Sequence, residues 1–212
     1  MQVDVASYVG AVVREVQGRD HEGKPARVVI ASRNYDTTID DLWDALTSAE
    51  RIPRWFLPIT GDLKLGGRYQ LQGNAGGTIT ACEPPRSLSV TWEFGGGTTW
   101  VNVALEAEGA GTRLELEHIA QIAEPDEFWD RFGPGAVGVG WDLSLMGLAR
   151  HLESGGAALD PAEVAAWSTS DEGKAFAAQS SDGWRLASIA YGTDVAAANA
   201  AAAETTKFYQ GG

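Results

Sequence analysis

Hydrophobic and polar residues alternate with a period of two through the middle of the chain, between residues 61 and 121. The runs RYQLQ, TITACE, LSVTWEF, TTWVNVALEA and TRLELEHIA follow this pattern, and turns rich in glycine or proline separate them. A strand with this alternation buries one face and exposes the other. The segment therefore predicts an antiparallel meander.

The segment before the meander predicts two strands and two short helices. The runs SYVGAVVREVQ and RVVIASRNY are rich in valine and aromatic residues and flank a polar turn, which predicts an N-terminal β-hairpin. In the segment that follows, Thr38 is a good helix N-cap before a run with helical spacing. We expect Ser48 to cap a second short helix, which Pro53 interrupts or ends.

The segment after the meander predicts a long helix over residues 137–152. Trp141, Leu145, Leu148 and Leu152 form one apolar stripe on it. Just before the helix, GPGAVG has the spacing of a dinucleotide-binding turn, but the strand that should precede this turn is missing. We therefore interpret Gly133 and Gly135 as permitting a sharp entry into the helix, and Gly138, Gly140 and Gly147 as positions where the helix lies close to a sheet.

The C-terminal tail predicts further helices. Asp160 is placed to cap a helix that has Pro161 in its first turn, and an alanine-rich run ends the chain. The apolar residues of the tail predict packing on the same chain, with self-association as the alternative. We expect a domain over residues 1–154, with an N-terminal hairpin, and a helical extension over 155–212 that packs on it.

Several segments together resemble a known fold family. They are IASRNYDTTIDDLWDALTSAERIPRWF, DLKLGGRYQL, GTITACEPPRSLSVTWEF, GTRLELEH and GVGWDLSLMGLARHL. The chain resembles the helix-grip (Bet v 1-like, START-related, SRPBCC) superfamily, and within it the group of Hsp90-ATPase-activator homologues. The resemblance implies an α+β fold in which a curved antiparallel β-sheet wraps around a long C-terminal helix. It also implies two short helices after the first long strand, extra helices at the C-terminus, and an apolar cavity between the sheet and the long helix.

Aromatic and apolar residues on the predicted inward faces form the candidate ligand site. Alternation places Leu88, Val90, Trp92 and Phe94 on one face of their strand. Large aromatic rings either fill a core or line a pocket for an apolar molecule. The candidate ligand-binding residues are Trp43, Trp55, Phe56, Tyr69, Leu71, Trp92, Phe94, Trp100, His118, Phe128, Trp129, Trp141 and Leu145.

His118 is the polar member of this set, and it shares the inward face of its strand with Leu114 and Leu116. A buried imidazole needs a hydrogen-bond partner. The residue is then a structural histidine, a group that orients a ligand, or a general acid or base.

Composition and charge exclude several classes of function. The chain has 16 basic and 29 acidic residues, and the net charge of −13 opposes binding to nucleic acid or to an anionic membrane. Cys82 is the single cysteine, and the three histidines lack the spacing of a metal site. We therefore expect a cytoplasmic protein with no cofactor, metal or disulfide.

Three functions remain open. The first is a non-enzymatic carrier or sensor of a small hydrophobic ligand. The second, implied by the resemblance alone, is an interaction module with a chaperone partner, as in Hsp90 activation. The third is a cyclase- or dehydratase-like enzyme with His118, Tyr69 or Glu106 as acid and base. A homodimer is compatible with each of them.

Overall fold

The structure of the protein is a computed structural model that describes residues 2–211. The helices are α1 (Val5–Gly10), α2 (Ile39–Thr47), α3 (Ile52–Trp55), α4 (Glu127–Phe132), α5 (Gly135–Glu153), α6 (Pro161–Ser168), α7 (Asp171–Tyr191) and α8 (Val195–Tyr209). The strands are β1 (Val13–His21), β2 (Lys24–Tyr35), β3 (Ile59–Gly61), β4 (Arg68–Leu71), β5 (Gly76–Glu83), β6 (Ser87–Phe94), β7 (Gly97–Glu108) and β8 (Gly111–Gln121).

The strands form one curved sheet in the order β1-β2-β8-β7-β6-β5-β4-β3. From β3 to β8, strands that follow each other in sequence pair antiparallel, as the alternating pattern predicts. Gly95 and Gly96 have φ angles of 61° and 83° and form the tight turn between β6 and β7. This turn sets the register in which Trp92 lies opposite Thr99.

Two local predictions were wrong. Residues 7–10, the start of the first predicted strand, belong to helix α1, because the Asp4 side chain accepts a hydrogen bond from the Ser7 amide and caps the first turn. Ser48 does not cap the second short helix; it ends α2, where its amide donates to the carbonyl of Asp44. Helix α3 starts from Arg51 without a side-chain cap, and Pro53 lies in its first turn.

Most of the predicted helices are confirmed. The Thr38 hydroxyl accepts from the amide of Asp41 and caps α2, and Asp160 caps α6 through the amide of Ala162. Helix α5 covers the predicted long helix with two more residues before it and one after it. Three helices, α6, α7 and α8, follow it.

Residue contacts divide the chain into two compact units. The first unit contains the chain up to Ala31, Gln121–Leu143 and the chain from Leu159 onward. The second unit contains Ser32–Ala120 and Ser144–Ala158. Helix α5 begins in the first unit and ends in the second.

A buried carboxylate joins three elements of the first unit. Asp142 on α5 is 1% exposed, and its Oδ2 atom accepts hydrogen bonds from Arg14 on β1 and from Ser180 and Trp184 on α7. Burial raises the pKa of Asp142, while the nearby Arg14 guanidinium acts in the opposite direction. The ion pair therefore links β1, α5 and α7.

Gly138 permits close packing, but its neighbour is a helix rather than the predicted sheet, and Gly135 also packs on a helix. A Cβ atom on Gly138 would lie 2.3 Å from the Trp184 ring of α7. A Cβ atom on Gly135 would lie 3.0 Å from the Thr205 side chain of α8. The GPGAVG segment is thus a helix-packing surface within the first unit.

In the second unit, side-chain hydrogen bonds hold the C-terminal half of α5. The Tyr35 hydroxyl donates to the carbonyl of Leu145 at 3.1 Å. The Nδ1–H group of His151 donates to the carbonyl of Ala157 at 2.8 Å, so its Nε2 atom is the acceptor for Arg51 at 3.4 Å. Arg51 also pairs with Asp41 on α2. These contacts connect α5, α2 and β2.

Candidate functional site

The candidate site is one face of the sheet in the second unit, where the strand register brings apolar side chains into rows across neighbouring strands. The first row consists of Leu88, Val103 and Leu116. The second row consists of Ile79, Val90, Val101 and His118. Burial of Leu114, Leu116 and His118 confirms the predicted inward face of β8. His118 is therefore the polar member of a row whose residues on β5, β6 and β7 are all aliphatic.

A compact apolar cluster continues this face toward β4. Tyr69, Leu71 and Ile79 are its buried members. Around them pack the partly buried residues Phe56, Leu57, Ile59, Leu63, Cys82, Leu88, Val90 and Trp92. The cluster joins the turn after α3 and strands β3 to β6 into one apolar surface.

Strand β6 leaves part of this apolar surface accessible. We call Leu88, Val90 and Trp92 the β6 strip; all three are half-buried, whereas Ile79 and Val101, the neighbours of Val90 on β5 and β7, are buried. Strand β6 lies inside the sheet between β5 and β7, so an open sheet edge does not explain the exposure. An accessible apolar strip in a sheet interior is a surface on which an apolar molecule can be buried.

His118 contributes one polar group beside the strip. The Thr99 hydroxyl donates to the carbonyl of Trp92 at 3.2 Å, so it accepts from the Nε2–H group of His118 at 2.9 Å. The imidazole also meets the Trp92 ring edge-on, with centroids 6.4 Å apart. Burial lowers the pKa of His118 to about 4. At neutral pH the ring is therefore uncharged and held in one orientation.

Tyr69 is a second polar group within the apolar cluster. Its hydroxyl donates to the carbonyl of Thr91 on β6 at 2.8 Å, and burial raises its pKa above the ordinary range of a tyrosine. Tyr69 lies opposite Gly77 on β5, where a Cβ atom would lie 1.9 Å from that same carbonyl oxygen. The missing side chain permits this close approach of β5 to β6 beside the phenol.

The acid and base candidates do not converge. Glu106 is exposed on β7 and lies opposite Arg113. Strand alternation places it on the face opposite Val101 and Val103, and therefore opposite the face that carries His118. The structure brings His118 and Tyr69 to one face of the sheet and leaves Glu106 on the other.

The structure collects part of the predicted ligand set in one place. Phe56, Tyr69, Leu71 and Trp92 belong to the apolar cluster, and Trp55 stacks on Phe56 with ring centroids 5.4 Å apart. The Trp55 indole donates to the carbonyl of Ala45 at 2.9 Å.

Four further members of the predicted set lie elsewhere in the second unit. Trp43 is half-buried on α2, and Leu145 is buried on α5. Trp100 lies opposite Ile119, and alternation places it on the other face of the sheet from Val101. Phe94 ends β6 and is 62% exposed.

The remaining three members lie in the first unit. Phe128 on α4 is 59% exposed and packs against Phe132. The Arg27 guanidinium lies over the ring of Trp129 at 4.6 Å from its centroid. Trp141 is half-buried on α5.

Sequence reasoning missed Thr99, which orients His118. The signal was present in the hairpin: a turn at Gly95 and Gly96 sets Trp92 opposite Thr99, and alternation then places Thr99 on the face of Val101. Ile79 and Val101 were missed as well, because each is an ordinary aliphatic residue whose place in the row follows only from the pairing of three strands.

The described residues contain neither a metal-binding cluster nor a membrane-spanning helix. Within residues 2–211, three or more histidine, cysteine, aspartate or glutamate side chains do not gather as a set that could hold a metal ion. In the same residues, none of the helices is both long enough and apolar enough to cross a membrane.

The chain matches one family model and is similar to solved structures of CalU16. The family model described as activator of Hsp90 ATPase homolog 1-like protein matches residues 36–153. The crystal structure of CalU16 from Micromonospora echinospora is 35% identical, with a TM-score of 0.59, and the match covers 80% of this chain and 98% of CalU16. The solution structure of CalU16 is 32% identical, with a TM-score of 0.69 and coverages of 85% and 97%.

A more distant similarity supports the fold alone. DynU16, from the dynemicin biosynthetic locus, is 21% identical with a TM-score of 0.52, and the match covers 60% of this chain and 48% of DynU16. No curated protein matches the chain. The predicted α+β helix-grip fold is confirmed by the sheet order and by the CalU16 structures.

Proposed function

The chain belongs to the family of activator of Hsp90 ATPase homolog 1-like proteins, and from this premise we propose that it binds a small hydrophobic molecule on the β6 strip. The proposal is supported above all by the accessibility of Leu88, Val90 and Trp92 on an interior strand. Covering such a surface with an apolar molecule is favourable by about 25 cal/mol for each Å² removed from water.

The polar groups on this face favour an uncharged ligand region. His118 is neutral at physiological pH and donates to Thr99, and Tyr69 donates to the carbonyl of Thr91. Neither group supplies a charge that would offset the desolvation of an ionised ligand group. The part of the ligand that contacts the strip is therefore hydrocarbon or aromatic, and any polar substituent near His118 is neutral.

A fluorescence titration with N-phenyl-1-naphthylamine, a neutral apolar probe, tests the proposal. We expect saturable binding to the full chain and about fivefold weaker binding to Val90→Thr, since the substitution keeps the shape and replaces a contacting methyl with a hydroxyl. Val13→Thr is the matched control, because Val13 is 69% exposed on β1. Absence of saturable binding, or equal affinities of the wild type and Val90→Thr, would contradict the proposal.

The chaperone-partner and cyclase-like functions remain predictions. We prefer the small-molecule function because the β6 strip is an accessible apolar surface, and a small hydrophobic molecule is the kind of ligand that such a surface binds.

A further inference from the structure

The first unit carries an aromatic surface that the proposed ligand site does not use. Phe128 and Phe208 are 59% and 62% exposed, and Phe132 lies between them with centroid separations of 5.4 and 5.9 Å. We call these three residues the α4–α8 aromatic surface. Single exposed apolar residues are common on proteins, but three phenylalanines in contact form a continuous patch of the kind that marks an interaction site.

The patch is held in place by the helices that carry it. The Thr205 hydroxyl on α8 donates to the carbonyl of Phe132 at 2.7 Å, and the Tyr209 hydroxyl donates to the carbonyl of Ala136 at 2.8 Å. Asp126 caps α4 by accepting from the amide of Trp129. The rings are therefore displayed by two helices fixed to each other, so little ordering is required when a partner binds.

The charges around the patch favour a second copy of the same chain as the partner. Arg131 and Lys207 lie close in sequence to the phenylalanines, as do Asp126, Glu127, Asp130 and Glu204. Because Asp126 is paired with Arg27, the charges of this surface are nearly balanced. The chain as a whole has a net charge of −13, and most pairs of surfaces on two copies repel each other. A near-neutral aromatic surface is where two such copies can approach most easily.

The patch also contains both members of an exchangeable ion pair. Arg131 lies over the Phe132 ring and pairs with Glu204 at 3.0 Å, and these two side chains are 63% and 40% exposed. In a two-fold dimer the same patch meets itself, so every group needs its complement on the same surface. Here Arg131 of one copy can pair with Glu204 of the other while the rings pack between them.

We propose that the α4–α8 aromatic surface is the interface of a weak two-fold homodimer. The exposed parts of three rings and their rim provide less than the roughly 800 Å² per partner of a standard stable interface, so we expect a Kd on the order of 100 µM. Higher salt strengthens this dimer, because salt screens the repulsion between two strongly acidic chains. An oppositely charged partner held by attraction would show the reverse dependence.

Sedimentation equilibrium of the full chain tests the interface, from about 10 µM to about 1 mM protein and at about 50 mM and about 500 mM NaCl. We expect a monomer–dimer equilibrium that tightens with salt, and about tenfold weaker association in Phe128→Gln and in Phe208→Gln. Leu186→Gln on α7 is the control, because Leu186 is 54% exposed and lies outside the patch. A wild-type chain that stays monomeric throughout overturns the proposal, as does a dimer that both phenylalanine substitutions leave unchanged.

A mixing experiment tests the two-fold ion pair directly. Arg131→Glu leaves two acidic groups at the paired positions, and Glu204→Arg leaves two basic groups, so each variant alone repels its own copy. An equimolar mixture restores both pairs across the interface. We expect the mixture to associate about tenfold more tightly than either variant alone. Association of the mixture no stronger than that of the separate variants overturns the assignment of the interface.

Discussion

His118 is the residue at which the apolar face of the second unit becomes sensitive to pH. Its folded-state pKa of about 4 lies below the ordinary histidine value of 6.5, because burial penalises the imidazolium. Between these two values the unfolded chain binds more protons than the folded chain. Stability is therefore fully present above the unfolded pKa and falls as the pH drops toward 4.

This difference predicts the behaviour of His118→Gln. Between pH 7 and pH 5 the wild type should lose about 2 kcal/mol more of its free energy of unfolding than the variant, which has no titrating group at this position. Urea unfolding at the two pH values measures the difference. The comparison with His118→Gln removes the contribution of the other titrating groups, and equal losses in both proteins would contradict the buried, neutral state of His118.

We expect Thr99 to contribute to the free energy of unfolding through its hydrogen bond with His118. Thr99→Val keeps the shape of the side chain but removes the hydroxyl that accepts from the Nε2–H group of His118, so we expect a loss of about 1 to 2 kcal/mol in the free energy of unfolding. Thr98→Val is the matched control, because Thr98 is exposed on the same strand. A loss that is equal at the two positions would mean that the Thr99 hydrogen bond has no special role.

At the residue scale, sequence patterns predict the face on which a side chain lies better than they predict its contacts. Alternation correctly placed Leu114, Leu116 and His118 on one face, because burial of that face repeats every second residue. It did not reveal the hydrogen bond between His118 and Thr99, which depends on the register between two strands. Trp100 was selected for its aromatic ring, although its strand position places it on the other face.

Among the elements, α5 depends on glycine for its contact with α7. In Gly138→Ala, the new methyl group would lie 2.3 Å from the Trp184 ring, which is fully buried. We expect a net destabilisation of about 2 kcal/mol, since overpacking outweighs the better helix propensity of alanine. Thermal or urea unfolding measures it, with Gly10→Ala as the control because that position faces open space. Equal stability of the Gly138→Ala protein and the wild type would contradict this packing.

Substitution of Asp142 tests whether the ion pair that joins β1, α5 and α7 stabilises these elements. In Asp142→Asn the guanidinium of Arg14, whose side chain is 9% exposed, loses its charged partner in a buried setting. We expect a loss of about 3 kcal/mol in the free energy of unfolding. Asp182→Asn removes an exposed carboxylate paired with Arg185 and should cost less than about 0.5 kcal/mol. Similar losses for the two variants would mean that the buried pair does not stabilise the first unit.

Element type followed from the sequence wherever a pattern extended over several turns or strands. The meander and α5 have long periodic patterns, and their positions were predicted within a few residues. Helix α1 has only 6 residues, and its last four were predicted as a strand from the valine and aromatic content of that run. Its helical state is favoured locally by the Asp4 cap, and a window of that length carries too little periodicity to oppose the composition.

At the scale of the whole molecule, the composition predicted an acidic protein with aromatic residues in its core. The family resemblance predicted the fold. The division of the chain into two units was not anticipated, since the first unit combines residues from both termini with part of α5. Contacts that join such distant segments leave no periodic signal in the sequence. The expected boundary near residue 154 therefore remains a prediction.

The central claim is that a small hydrophobic molecule binds on the β6 strip. The most direct measurement is a methyl NMR titration of the chain, labelled at valine and leucine, with N-phenyl-1-naphthylamine. The claim predicts saturable shifts at Leu88, Val90 and Val101, with little change at the exposed methyl groups of Val195 and Leu186. Shifts that are absent, or that concentrate at Val195 and Leu186, would contradict it.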